Sequence, residues 1–202
     1  MNDKLSFENT ELAFKHKSNK ELRFTIFILK LMGQPWLVKL FSSLTLLALK
    51  LHLPISGIIK ATIFRQFCGG ESLEASQASV AMLRKNNVEA ILDYSIEGQN
   101  SEKAFDNTKS ELLMLIDNAK RFSKDPTACM KITGIARFDL LEKLTEHPDD
   151  LSATEKEEWA RVKQRVEEIC QKAFDLDVRI YIDAEDSWIQ GAIDHLAEEM
   201  IR

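Results

Sequence analysis

The sequence predicts an α/β fold: a helical N-terminal region followed by three strand–helix units with parallel strands. Three observations predict it. Short apolar runs ending in charged residues recur as ILDYSIEG from Ile91, CMKITGIAR from Cys129 and VRIYIDAED from Val178. Stretches with apolar residues at helical spacing separate these runs, and a helix between consecutive strands makes those strands parallel through right-handed crossovers. Charged groups gather at the strands' C-terminal ends, where open α/β sheets and β/α barrels build their sites.

Residues 1–20 are polar and predicted to be loosely held. Two or three helices are predicted from about Glu21 to Phe67, with breaks at Gly33-Gln34-Pro35 and at Pro54, because proline lacks an amide donor and clashes with the preceding turn. Cys68-Gly69-Gly70-Glu71 reads as a turn into a helix running to about Lys85, within a helical region spanning 21–85. The stretch from Thr25 to Lys60 is strongly apolar, yet Lys30, Gln34, Pro35, Lys39, Lys50 and Pro54 interrupt it. No window reaches the roughly 18–20 clean residues of a spanning helix. Its expected role is to pack as buried helices on the rest of the domain. The alternative is a membrane surface, which lysines among apolar residues suit.

From residue 86 onward the rhythm is regular. A first strand is predicted over about Ala90 to Ile96, then a helix from Ser101 to Phe122 carrying Leu112, Leu115, Ile116, Ala119 and Phe122 on one face. A second strand covers Cys129 to Ile135, followed by a short helix from Phe138 to Leu144. Ser152 with Glu155 forms a capping box ahead of an amphipathic helix whose apolar face is Trp159, Val162, Val166, Ile169, Ala173 and Phe174. The third strand runs from Val178 to Ala184, and a last helix follows from Ser187. Three strands do not close a barrel, and open parallel edges are an aggregation liability. With Arg202 ending the chain inside a helix, the sequence is expected to be cut off.

Bulk properties narrow the function classes. The 202 residues are 45% hydrophobic, enough for a real core, and the net charge of −5 advertises no basic surface for nucleic acid. Three distant cysteines without a CxxC argue against a disulfide framework and for a reducing compartment. The four histidines have no ligand spacing, so no metal site is expected. No secretory signal follows Met1.

Alternation along the strands assigns faces. Val178, Ile180 and Ile182 oppose Arg179, Tyr181, Asp183 and Glu185. Met130 and Ile132 oppose Cys129, Lys131 and Thr133, while Leu92, Tyr94 and Ile96 oppose Asp93, Ser95 and Glu97. Lys131 stands out, because an ammonium inside a fold is costly unless carboxylates compensate it. Asp93, Glu97, Asp183 and Glu185 can surround it. Four acids against one lysine imply further cations from a ligand or from additional chain. A structural ion-pair layer is the plainer reading of the same residues.

At these residues the chain resembles the FAD-dependent proline dehydrogenase family, in its stand-alone form. The resemblance rests on FCGGES at Phe67, LDYSIEG at Leu92, CMKITGIARFDLLEK at Cys129 and VRIYIDAEDSWIQGAIDHL at Val178, and it extends over about residues 8–202. It implies a (β/α)8, TIM-like barrel of which this chain carries the N-terminal helices and the first three β/α units. It also implies oxidation of L-proline to pyrroline-5-carboxylate, with a hydride passed to FAD and electrons passed on to a membrane quinone. By position, Lys131 is expected beside the flavin and the proline carboxylate. Asp183 is expected to hold that lysine and tune the flavin, and Glu185 to support the same cofactor network. Glu97 matches an acid that pairs with a substrate-binding arginine, and Asp93 is a further candidate.

The family's later β/α units and its arginine-bearing C-terminal helix have no counterpart in this sequence. The 202 residues alone are therefore expected neither to hold FAD tightly nor to turn over proline. With no Arg-rich, acid-poor leader, the expected setting is the bacterial cytoplasm, with peripheral contact on the inner face of the membrane, and mitochondria are the alternative. Two rival readings stand beside it: a non-enzymatic split half that binds a partner chain, and an aldolase using Lys131 as a Schiff base.

Overall fold

Serine hydroxyls open four helices by accepting a backbone N–H three residues on: Ser18 from Glu21, Ser72 from Ala75, Ser101 from Ala104 and Ser152 from Glu155. Each satisfies a leading amide that has no partner within its helix. The computed structural model describes residues 8–94, 96 and 98–202. The chain divides into two units, Met1–Val88 and Glu89–Arg202.

The first unit is helical. It comprises α1 (Thr10–Ala13), α2 (Asn19–Met32), α3 (Pro35–Lys50), α4 (Ser56–Ile59), α5 (Arg65–Phe67) and α6 (Leu73–Arg84), with a π-helical turn, Lys60–Phe64, joining α4 to α5. Gly33 ends α2 and Pro35 starts α3, where its missing N–H costs nothing. The two axes bend by 95° at this break. Thr25 donates to the Gln66 side chain at 2.9 Å and Arg65 pairs with Glu21 at 3.2 Å, tying α2 to α5.

The apolar stretch does not form the buried core that its composition predicts. Only Ile28 of α2 is buried, and no residue of α3 is. Apolar composition records which side chains avoid water, not what covers them. Among the described residues no single helix is long and apolar enough to cross a membrane; α2 and α3 pass that test only as a bent pair.

The second unit holds a small parallel sheet. Its elements are α7 (Glu102–Phe122), β1 (Thr127–Met130), a 3-10 turn at Ile132–Gly134, α8 (Phe138–Glu146), α9 (Ala153–Asp175), β2 (Arg179–Ile182) and α10 (Gln190–Ile201), with a second 3-10 turn, Pro148–Asp150, before α9. β1 and β2 are parallel in the register Thr127↔Arg179 to Met130↔Ile182. Helix α7 packs on β1 and α9, α9 on β2 and α10, and α10 on α8. Phe105, Ile116, Met130, Ile132, Leu141, Val162, Ile169 and Leu196 form the dry centre.

The predicted first strand is a correction. Among the described residues the sheet has two strands, and Ala90 to Tyr94 and Ile96 belong to neither. A strand exists only where its amides find a ladder. Here the Ile96 N–H donates instead to the Tyr94 carbonyl, two residues back, at 3.0 Å. Ser95 and Glu97 lie outside the described residues.

The capping box at α9 carries a pH dependence. Glu155 accepts from the Lys143 ammonium at 2.8 and 3.0 Å and from the Ser152 N–H at 2.8 Å. The lysine first, then the Ser152 backbone and hydroxyl, hold its carboxyl down from the usual 4.5 to about 2. A depressed folded-state value stabilises the fold fully above pH 4.5, and that contribution is lost as pH falls towards 2. Carboxyl-carbon NMR is expected to show Glu155 titrating near 2, and Lys143→Met to move its midpoint back towards 4.5.

Candidate active site

β1 and β2 end side by side, and the chemistry begins where their ladder stops. The last backbone rung is Asp183 N–H to the Met130 carbonyl, at 2.9 Å. Met130 and Ile132 point into the core and are fully buried, so the intervening Lys131 faces the other way. Its ammonium donates to Asp183 Oδ2 at 2.9 Å, with side-chain exposures of 21% and 44%. An ammonium held in such a pair is a poor amine nucleophile, which favours an electrostatic role over a Schiff base.

Two residues further on, a second rung forms. Both oxygens of Glu185 accept from Thr133: Oε1 from the backbone N–H at 3.1 Å, Oε2 from the hydroxyl through a very short bond. The Thr133 N–H leads a 3-10 turn whose N-cap residue, Lys131, has no acceptor of its own to offer. Glu185 therefore caps that turn from the segment that follows β2. Its own N–H donates to the Gln190 side chain at 2.9 Å, and Gln190 donates on to Asp194 at 2.7 Å. Gly134 completes the turn, because a Cβ there would meet the Ile96 carbonyl at 3.0 Å and Thr108 Cγ2 at 3.2 Å.

Gly98, Lys131, Thr133, Phe138, Ala184, Glu185 and Asp186 line a cleft of about 510 Å³ over these rungs. Cys129 lies one ladder step behind. Burial first, then the charges of Asp93 and Asp183, push its thiol up to about 11 against the opposing pull of Lys131. That keeps it a protonated, unreactive thiol at neutral pH.

The structure thus brings Lys131 and Glu185 to one cleft, with Asp183 bonded to Lys131 and Asp93 close enough to act on Cys129. Glu97 lies outside the described residues. Glu185 bonds Thr133 here, a difference from the cage of acids around Lys131 that charge counting predicts. Sequence reading did not single out Thr133, Gln190 or Phe138 as site residues. The signal for Thr133 was its place on the same strand face as Lys131: pairs 131–183 and 133–185 share one separation of 52, the register of the sheet.

A parallel strand pair carrying a paired ammonium and carboxylate at its C-terminal end defines an α/β protein with an enzyme-like site. Residues 76–202 match the family described as Proline dehydrogenase, and the chain belongs to that family of oxidoreductases. It is 28% identical over 233 aligned positions to "Proline dehydrogenase 1, mitochondrial" of Dictyostelium discoideum, covering 96% of this chain and 41% of that one. It is 29% identical over 138 positions to "Carbapenem antibiotics biosynthesis protein CarD" of Pectobacterium carotovorum subsp. carotovorum, covering 67% and 36%. Among solved structures it resembles proline utilization A from Bdellovibrio bacteriovorus, inactivated by N-propargylglycine. That TM-score is 0.57 at 15% identity, covering 96% of this chain and 21% of that chain, a likeness of fold. The chain spans about two-fifths of the length of these curated relatives.

Proposed function

We propose that this chain contributes the Lys131–Asp183 centre of a proline dehydrogenase, which oxidises L-proline to pyrroline-5-carboxylate. The observation that carries the reading is the 2.9 Å ion pair at the mouth of the cleft, inside the family-matched segment.

The residues present fit FAD. A flavin presents a planar ring with hydrogen-bond acceptors along one edge, and the cleft offers the Lys131 ammonium as donor and the Phe138 ring as an apolar wall. Lys131, steadied by Asp183, is the residue that would hold it, with Glu185 lining the same cleft. Once bound, FAD supplies the two-electron acceptor.

The product's double bond joins the ring nitrogen to Cδ. Proline therefore gives up a hydride from Cδ and a proton from nitrogen, while the carboxylate-bearing Cα stays unchanged. Lys131 supplies positive charge for the substrate carboxylate and fixes the ring's orientation, the step in which positioning lowers the barrier. Asp183 accepts one ammonium N–H and so sets the direction of the others. Thr133 and Glu185 hold the backbone that carries Lys131. Glu97 is proposed on the family resemblance alone, as the partner of a substrate-binding arginine. Electrons leave to a membrane quinone, so the protein makes peripheral contact with a bilayer, either the inner face of a bacterial membrane or the mitochondrial membrane its named relatives imply.

The test uses protein purified with its flavin from its native source. L-proline is expected to bleach the flavin's visible absorbance, and pyrroline-5-carboxylate is expected to form with a soluble quinone analogue as acceptor. Flavin that stays oxidised in excess proline, with no such product, would overturn the reading.

A further inference from the structure

Between Glu21 and Glu71 the chain contains no acidic residue, but it contains six cations: Arg23, Lys30, Lys39, Lys50, Lys60 and Arg65. This stands against a net charge of −5 for the whole chain. Two of the six are matched by the acids at the ends of the stretch, Lys60 by Glu71 at 2.9 Å and Arg65 by Glu21 at 3.2 Å. Arg23, Lys30, Lys39 and Lys50 are exposed and make no ion pair among the described residues.

Their spacing is ordered. A helix turns about 100° per residue, so Lys39 and Lys50 of α3 return to within about 20° of each other, as do Arg23 and Lys30 of α2. Ser42 and Ser43 fall on the same side of α3 as its two lysines. The opposite side carries Phe41 and Leu44, flanked by Val38, Leu40, Leu47 and Leu49, each of the six more than two-fifths exposed, while Leu46 falls beside the lysines. The largest apolar patch on a typical monomer measures about 300–600 Å² and is often functional, so a whole uncovered helix of this kind calls for a partner.

Charge decides which partner. The cores of protein–protein interfaces are depleted in lysine, and three of the four unpaired cations here are lysines. A helix with lysines on one side and Leu and Phe on the other is the pattern of an element lying in a bilayer's headgroup region. Lysine stems reach from an apolar bed back to the lipid phosphates. Among the described residues no single helix is long and apolar enough to cross a bilayer, and the 95° bend with these four cations along the pair suits a surface element better than a span. We propose that α2 and α3 dock in the interface of an anionic bilayer, with the apolar side of α3 among the acyl chains and Arg23, Lys30, Lys39 and Lys50 on the headgroups. This names the surface and lipid charge of the peripheral contact proposed above, yet it uses no residue of the cleft.

The 202-residue chain, without flavin or proline, is floated with vesicles of phosphatidylcholine alone and of phosphatidylcholine mixed with phosphatidylglycerol. Flotation is expected with the mixed vesicles, and it should fall as salt screens the headgroups. Replacing Arg23, Lys30, Lys39 and Lys50 with glutamine is expected to lower partitioning by about 10²–10³-fold. Phe41→Asp with Leu44→Asp is expected to abolish it while far-UV circular dichroism stays unchanged. Trp36, 64% exposed, is expected to be quenched by lipid-borne quenchers in the unsubstituted chain.

Absence of flotation with the mixed vesicles overturns the proposal, as does equal binding to phosphatidylcholine alone. Self-association in sedimentation that Phe41→Asp with Leu44→Asp removes, without vesicle binding, assigns the face to a second copy instead. Because the readout needs neither substrate nor cofactor, the docking proposal and the proline reading can fail separately.

Discussion

In the flavin-bearing protein from its native source, Lys131→Met is expected to lower the rate of proline oxidation by about 10²–10³-fold, the usual effect of removing one preorganised electrostatic contact from a site. Methionine keeps the unbranched stem and removes only the charge. Asp183 then loses its partner, but its side chain is 44% exposed and stays hydrated, so the fold is expected to survive. A structural ion-pair layer would behave differently: its loss would lower the unfolding midpoint and leave the rate per bound flavin nearly intact. Steady-state rates normalised to flavin content, set beside thermal unfolding, separate the two. Lys131→Arg retains the charge but replaces a compact ammonium with a planar fork, and it is expected to fall between the two.

Ile132→Ala is expected to destabilise the second unit by about 2–5 kcal/mol, the range for truncating a buried isoleucine to alanine. Ile132 is fully buried and sits between the two site rungs, so the cavity it leaves lies under the backbone of Lys131 and Thr133. Urea unfolding is expected to show a lower midpoint at an unchanged slope. A loss below 1 kcal/mol would mean that the 3-10 turn collapses into the space without cost, and that the rungs alone hold the turn in place.

Much of the second unit was legible because its signals are local. The Ser152–Glu155 capping box depends on residues three apart, and it opens α9 as predicted. Alternation along CMKITG correctly sent Met130 and Ile132 inward and Lys131 the other way. Helical spacing found most of the buried face of α9 and Leu112, Leu115 and Ile116 of α7, though it included Phe122 and Phe174, which are 43% and 80% exposed at the ends of α7 and α9. It also passed over Arg165, buried on α9, where it bonds Asp106 at 2.9 Å and Glu102 while lying over the Phe105 ring. A guanidinium reads as solvated until two carboxylates from another helix are placed against it.

What the sequence determined by itself was the order of helices and the two strands, the faces those strands present, and the residue types gathered at their ends. Each follows from periodicity or capping within a few neighbouring residues. Only the tertiary structure decided that Ala90 to Tyr94 are not paired as a strand, that Glu185 grips Thr133, and that no residue of α3 is buried. All three depend on which distant groups meet. A ladder, a hydrogen bond across 52 residues and a covered apolar face are properties of pairs, and a single stretch of sequence records only one member of each.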